Sequence, residues 1–412
     1  MADGLLTPEA NPTRWQRAIA LPAAVRIGVV YVLARIVTTV FFVVAAELAP
    51  AGSRFGERAT PAAFAAGWDS WWYSFVAGYG YPETLPLTDA GDVAENAWAF
   101  MPIYAYVASW VGALLGAWIV GAVIVSLVAG YLACLVLYRM MRLRGDDAMA
   151  MWAVVFFAAG PLSGLFQVGY AEALFLLWLF LALWCVMRRH YAWLYLLVPL
   201  MGFTRPGVLA FSLFLALHGI QRWVARTRDP LPGRDIIHIV LTGLLAAVVG
   251  FSWQVYAALK TGDPGAYLAT ELAWRRNWIA DPPDGFQPFE GFLLGARFWA
   301  GQWHIPEFAG YLVLAGIVLA AAAILLFEPH VKRLGSEVRL WTASYLVYLL
   351  AVFFPQSSIF RLLVPISPLW GAVAMPRSPV WRFGVLAACL VGQWVWIYTM
   401  YALAGTAFWT IP

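Results

Sequence analysis

The sequence predicts an all-α integral membrane protein, a polytopic bundle of about eleven spans with interfacial helices in its first outer loop. Three observations carry this. The chain of 412 residues is 63% hydrophobic and only 12% charged, far too little charge to cover a soluble domain of this size. Its apolar residues fall into long runs separated by basic clusters, with a mean hydropathy of +0.74. Its 23 Trp and 18 Tyr supply many rings of the kind that anchor helices at a membrane–water boundary.

The candidate spans, in order, are Ala23–Ala46, Ala117–Tyr138, Ala150–Phe166, Tyr170–Met187, Tyr191–Phe203, Gly207–Gly219, Ile236–Leu259, Phe308–Phe327, Val338–Phe354, Leu362–Met375 and Phe383–Leu403. A crossing needs roughly 20 residues, so Tyr191–Phe203, Gly207–Gly219 and Leu362–Met375 are short. The first two flank Thr204-Arg205-Pro206. A proline and a charge at that depth predict a broken hairpin that stops part-way and faces protein or water rather than lipid. The first apolar run reads as a full span rather than a leader. A net charge of only +4 gives no reason to expect nucleic acid as a partner. Cys134, Cys185 and Cys389 lie in apolar runs, and no Cys or His spacing suggests a disulfide framework or a metal site.

Trp98–Leu115 is apolar enough to cross, and charge decides against it. With this segment along or re-entering the outer interface, the basic clusters fall on one side: Arg14, Arg17 and Arg26, Arg139 to Arg144, Arg188 and Arg189, Arg222 to Arg234, Lys332 to Arg339, and Arg377 and Arg382. A crossing there would invert everything after it, against the positive-inside tendency. The expected topology has a cytoplasmic N-terminus and two long outer loops, 48–97 and 260–306. The first carries Asp69, Glu83, Asp89, Asp92 and Glu95, and the second Asp263, Glu271, Asp281, Asp284 and Glu290. Arg35 and Arg205 are left within the membrane. The chain, 1–412, reads as one domain, without internal repeats.

Within the first outer loop, Gly67–Pro102 concentrates the chemistry. A helix here puts Trp68, Trp72, Phe75 and Tyr79 on one face and Asp69 with Tyr73 on the next. A carboxylate beside Trp68, Trp71 and Trp72 is expected to be partly desolvated, which raises its proton affinity and suits general-base work. The bland alternative is a first-turn acid that only complements the helix dipole. Arg205 either serves a site or pairs with Glu172 as structural glue. A mid-depth Arg costs at least ~2.5 kcal/mol, which favours a functional role. Glu172 opens a helix in an apolar run, Arg361 lies at an outer membrane edge, and Glu83 and Glu95 flank a loop with room to fold over a substrate.

Trp68-Asp69, then Tyr73, Gly78-Tyr79-Gly80-Tyr81 and Trp98-Ala99-Phe100-Met101-Pro102 together resemble the PIG-V-like mannosyltransferases. Further along, Gly169-Tyr170-Ala171-Glu172 is similar to the family's Y-S-E stretch. Thr204-Arg205-Pro206 matches its T-R-P, and Ser358, Arg361, Pro365 and Pro368 follow its S-x-x-R…P…P ending. Glu271 and Trp274 resemble its Q-x-x-W segment, with Glu in place of Gln. Met101, Ile103-Tyr104 and Ala171 depart from the pattern without touching the carboxylate.

The resemblance implies a GT-C-like bundle and an inverting glycosyltransferase. It implies a polyprenyl-phosphate sugar, mannose, as donor, and a glycolipid or cell-envelope polysaccharide as acceptor. The reaction would lie at the outer face; the Ala-, Trp- and Arg-rich composition and compact loops point to a bacterial cell membrane. Asp69 would then be the catalytic base. Arg205 and Arg361 would bind the donor phosphate, since Arg grips phosphate in a bidentate manner and stays charged. Trp68, Tyr73, Glu83, Trp98, Glu172 and Glu271 would line the site. No cofactor and no metal are expected, because no D-x-D stands near Asp69 to hold a nucleotide diphosphate's ion. Membrane lipids are the remaining partners. The alternative is a transporter or flippase of lipid-linked sugars, which predicts paired halves with matching broken helices. The sequence pattern offers no such symmetry.

Overall fold

The computed structural model describes residues 21–279 and 285–412, so Arg14, Arg17, Asp281 and Asp284 lie outside the described residues. The protein is an all-helical membrane bundle; among the described residues the only β-type pairing is an isolated bridge between Leu87 and Val93. Helix α1 (Ala23–Glu47) leads into two short helices, α2 (Pro61–Ala66) and α3 (Asp69–Tyr79). After a 3-10 turn at Ala97–Ala99 come α4 (Pro102–Leu115), α5 (Trp118–Arg142), α6 (Asp147–Ala158), α7 (Glu172–Met187) and α8 (Leu194–Gly202). The chain continues with α9 (Val208–Ala225), α10 (Gly233–Thr261), α11 (Ala266–Arg276), α12 (Glu290–Gln302) and α13 (Glu307–Phe327). It closes with α14 (Pro329–Arg333), α15 (Ser336–Val352), α16 (Ile359–Leu362), α17 (Trp370–Ala374) and α18 (Pro379–Ile397), which a π-turn extends to Ala402. Six of these, α1, α5, α9, α10, α13 and α18 with its extension, are long and apolar enough to cross a membrane.

Every expected span contains a helix; two of the spans, and the interfacial segment Trp98–Leu115, differ in shape from expectation. Ala150–Phe166 is not one span: α6 stops at Ala158, and Gly160-Pro161 leads into a 3-10 turn at Ser163–Gln167. Proline has no N–H to continue the ladder and clashes with the preceding turn. Gly207–Gly219 is not the short second arm of a hairpin, because α9 continues to Ala225 over 18 residues. Only the first arm, α8, is short, with Pro199 inside it. Trp98–Leu115 begins its helix only at Pro102, where proline suits the first helical position.

The 14 residues of α4 rise about 21 Å, too little to span a ~30 Å hydrocarbon core. The chain turns at Gly116, whose φ of +89° is open to glycine, and returns as α5. The two helices pack backbone to backbone. A Cβ on Gly121 would overlap the Ala108 carbonyl and the Gly112 amide, and Tyr104 donates to the Ala122 carbonyl at 2.9 Å. Gly121→Val is therefore expected to cost about 1–3 kcal/mol by overpacking, read as a lower Tm in detergent. An unchanged Tm would contradict this packing.

Arg35 satisfies the carbonyls that the α6 break leaves open. It is buried, and its guanidinium donates to the Ala158 and Ser163 carbonyls, both at 2.5 Å. A helix end inside an apolar bundle leaves carbonyls without partners, and a cation there complements the dipole. Gln393 completes the layer, donating to Thr38 at 3.0 Å and to Ser163.

Ion pairs join the loops that sequence assigns to the basic side. Arg26 meets Asp147 at 2.8 Å, Arg144 meets Glu337 at 2.6 Å, and Arg377 meets Asp146 at 2.9 Å. Arg189, just beyond α7, meets Asp229 at 2.7 Å. Glu172 starts α7, so 16 residues, about 24 Å of helix, separate it from this basic end.

Candidate functional site

Asp69 is the first residue of α3, and the turn before it is strained. Trp68 has φ +54°, a left-handed conformation that a bulky residue adopts only when its surroundings hold it there. Its indole donates to the Met400 carbonyl at 3.2 Å, and Arg54 stacks over the ring at 4.5 Å. Trp68 therefore lies outside the helical face expected for it, and its ring fixes the turn that aims Asp69. Trp72 stacks on Phe100, with ring centroids 5.6 Å apart, and Trp71 packs on Trp72. The contact that defines the Asp69 carboxylate is not an indole but Arg361.

Glu172 reaches the same point because α7 begins against α3. The Gly169 amide donates to the Ala65 carbonyl at 3.0 Å, and any Cβ at Gly169 would overlap the Ser70 hydroxyl. Arg205 comes from the turn between α8 and α9. Thr204 donates back to the Leu200 carbonyl at 2.6 Å, and Gly207 at φ +133° lets the chain reverse after Pro206. Arg361 comes from the single turn of α16. That segment is tied to α15, where Tyr345 donates to the Leu362 carbonyl at 2.7 Å, and to the chain end, where Ser357 donates to the Ile411 carbonyl at 2.5 Å.

These four side chains form one row. Arg361 pairs with Asp69 and lies 3.5 Å from Glu172, which in turn pairs with Arg205. The Tyr170 ring lies beside the Arg361 guanidinium at 5.6 Å. Burial works to lower the proton affinity of Arg361, and the carboxylates of Asp69 and Glu172 outweigh it, so its charge is held firmly. Glu172 is sealed at 3% exposure, while Asp69, Arg361 and Arg205 keep 18%, 14% and 11%. A ligand can therefore touch one carboxylate and both guanidiniums, with the second carboxylate behind them.

The remaining sequence-predicted residues sit at different removes. Tyr73 is buried against Phe100 and Tyr104 beneath Asp69. Trp98 is a core pillar: it stacks on Tyr81, donates to the Pro82 carbonyl at 3.0 Å and packs on Trp253. Glu83 is exposed and takes no part in the ion-pair row. Glu271 projects from α11, whose Trp274 packs on Trp72 at 5.9 Å. Tyr170, part of the Gly169–Glu172 stretch, sits beside Arg361 in the row, while Tyr267 of α11 has no role in the sequence reading. Tyr267 had a signal, since it stands one helical turn before Glu271.

Behind the Arg205 turn lies an open apolar groove of about 680 Å³. Ile103, Tyr106 and Trp110 of α4, Leu200 and Phe203 beside the turn, and Trp253 of α10 line it. The Ile103 amide donates to the Phe203 carbonyl at 3.0 Å, which locks the groove wall to the turn that carries Arg205.

No family model matches this chain, and no curated protein matches it. Among solved structures it is similar to ArnT from Cupriavidus metallidurans bound to undecaprenyl phosphate. The likeness has 16% identity and a TM-score of 0.48, and covers 92% of this chain and 69% of that one. It is also similar to the Archaeoglobus fulgidus oligosaccharyltransferase tethered with an acceptor peptide. Here identity is 13% and the TM-score 0.36, over 92% of this chain and 55% of that one. Neither score is high enough to define a shared fold, and the functional reading rests on the site itself.

Proposed function

We propose that this protein is a GT-C-type inverting glycosyltransferase. It moves a sugar, mannose by resemblance, from a polyprenyl-phosphate donor to a glycolipid or other cell-envelope acceptor at the non-cytosolic face of the membrane. The single observation that carries this reading is the row Asp69, Arg361, Glu172, Arg205, assembled from four distant segments. Each segment holds one of the motifs that resemble the PIG-V-like family.

The chemistry follows from the charges. An acceptor hydroxyl oxygen forms a bond to the anomeric carbon from the face opposite the phosphate. The bond from that carbon to the phosphate oxygen breaks, its electron pair leaves on the phosphate, and the configuration inverts. Asp69 takes the hydroxyl proton as the bond forms. Arg361 and Arg205 meet the charge that grows on the departing phosphate. They are already oriented by Asp69 and Glu172, so little reorganisation accompanies the step. The polyprenyl chain lodges along the apolar groove behind Arg205.

The test is to incubate the purified protein with polyprenyl-phosphate mannose, labelled in the sugar, and a membrane lipid extract. Label is expected to move to a lipid or glycan acceptor, and free polyprenyl phosphate is expected to accumulate in equal amount. Label that stays on the donor across a panel of polyprenyl-phosphate sugars would contradict the reading.

A further inference from the structure

At the basic end of the bundle, between the ends of α5 and α7, lies a polar pocket of about 310 Å³. Arg144, Arg188 and Arg189 line it with Leu143 and Met187, and no acid does. The acids of this region stand behind the arginines. Glu337 of α15 meets Arg144 at 2.6 Å, and Asp229, in the turn after α9, meets Arg189 at 2.7 Å and Arg222 at 3.4 Å. Arg188 is exposed and has no ion-pair partner among the described residues. Four arginines thus share two carboxylates, and the pocket keeps a positive excess.

These arginines are not needed to cap the helix ends, because backbone amides already do so. After α7 the Arg189 amide donates to the Val186 carbonyl at 3.0 Å and the His190 amide to the Cys185 carbonyl at 2.8 Å. After α5 the Gly145 amide donates to the Met141 carbonyl at 2.9 Å. The closure of α7 places Arg189 at φ +60°, a left-handed position that such helix ends usually give to glycine. A large side chain is kept in that strained conformation where it has a use. Its pair with Asp229 is exposed, and an exposed pair alone is worth little. Arg144 is also seated closely: a Cβ on Gly335, in the turn before α15, would overlap its guanidinium.

The level of the pocket sets what it meets. Helix α5 is long and apolar enough to cross a membrane, and the pocket opens at its last turn, the depth of the lipid headgroups. Trp193, four residues beyond Arg189, is exposed, as rings at that boundary commonly are. Leu143 and Met187 give the pocket an apolar edge, which suits a phosphate carried on a lipid better than a free one.

We propose that this pocket binds the headgroup phosphate of an anionic membrane lipid, gripped by Arg144, Arg188 and Arg189. Basic pockets between membrane helices suit such headgroups, and the guanidinium fork matches phosphate oxygens. A phosphate held there ties the ends of α5 and α7 to α15 through Glu337, and to the turn between α9 and α10 through Asp229. The site lies a full α7 length from Glu172 and is independent of the glycosyl-transfer reading.

The experiment measures equilibrium binding of phosphatidylglycerol, phosphatidylcholine and inorganic phosphate to the full chain in neutral detergent. Wild-type protein is expected to prefer phosphatidylglycerol to phosphatidylcholine on the order of 100-fold, about fivefold for each arginine. Arg188→Gln and Arg189→Gly should each remove about fivefold of that preference and leave phosphatidylcholine binding unchanged. Both variants should fold, since Arg188 has no ion pair to lose and glycine suits the left-handed turn. Equal binding of the two lipids by the wild type would overturn the site. So would the same loss in Arg234→Gln, a change on the same basic end but outside the pocket, because it would reveal a diffuse field instead. Inorganic phosphate that binds as tightly as phosphatidylglycerol would overturn the assignment to a lipid.

Discussion

Asp69→Asn is expected to lower glycosyl transfer by about 100- to 10,000-fold, the usual contribution of a positioned general base. Asn keeps the shape and a carbonyl oxygen for Arg361 but has no basic oxygen to take the acceptor's proton. The variant should fold normally and bind donor lipid, because the arginines and the groove are unchanged. The separation of turnover from binding is the informative result. A flippase of lipid-linked sugars would be largely indifferent to this substitution. Transfer at the wild-type rate in Asp69→Asn would remove the base from the mechanism.

Glu172→Ala is expected to act on stability more than any other single change in the site. Glu172 is sealed behind two guanidiniums and is in ion-pair contact with both. Removing it leaves Arg205 and Arg361 with one carboxylate between them. Breaking a buried pair from one side costs about 3–5 kcal/mol, because the remaining charge stays out of water without a partner. A lower Tm in detergent is expected for Glu172→Ala. The milder Glu172→Gln separates stability from recognition. The row of two acids and two bases becomes one acid and two bases, so an added anion meets a net positive site. Bare polyprenyl phosphate should bind Glu172→Gln at least as tightly as wild type and should raise its Tm more. A Gln variant that loses lipid phosphate binding would show that Glu172 itself, and not the arginines, organises that site.

Sequence made the participants legible and hid their arrangement. Asp69, Glu172 and Arg205 stood out because charge within or beside apolar runs is costly and is kept for a reason. The break at Pro206 was readable because a proline beside a charge at that depth ends a helical ladder. The pairing of Arg361 with Asp69, 292 positions away, was not readable. Partner choice among buried charges depends on how α3, α7 and α16 converge, which no local pattern encodes. The same holds for Trp68. Its aromatic spacing suggested a shelf beside the carboxylate, but a left-handed backbone turns the indole toward Met400. The α6 break lies inside a run apolar enough to cross, where Gly160-Pro161 ends the helix, and hydropathy does not register that Arg35 caps the exposed carbonyls.

The most direct measurement is an experimental structure with a polyprenyl phosphonate sugar that cannot transfer. The phosphonate oxygens are expected within hydrogen-bond distance of Arg361 and Arg205, with the anomeric carbon facing the Asp69 side of the row and the chain lying along Ile103, Phe203 and Trp253. A phosphonate held away from both arginines, or a sugar on the far side of Glu172 from Asp69, would contradict the account.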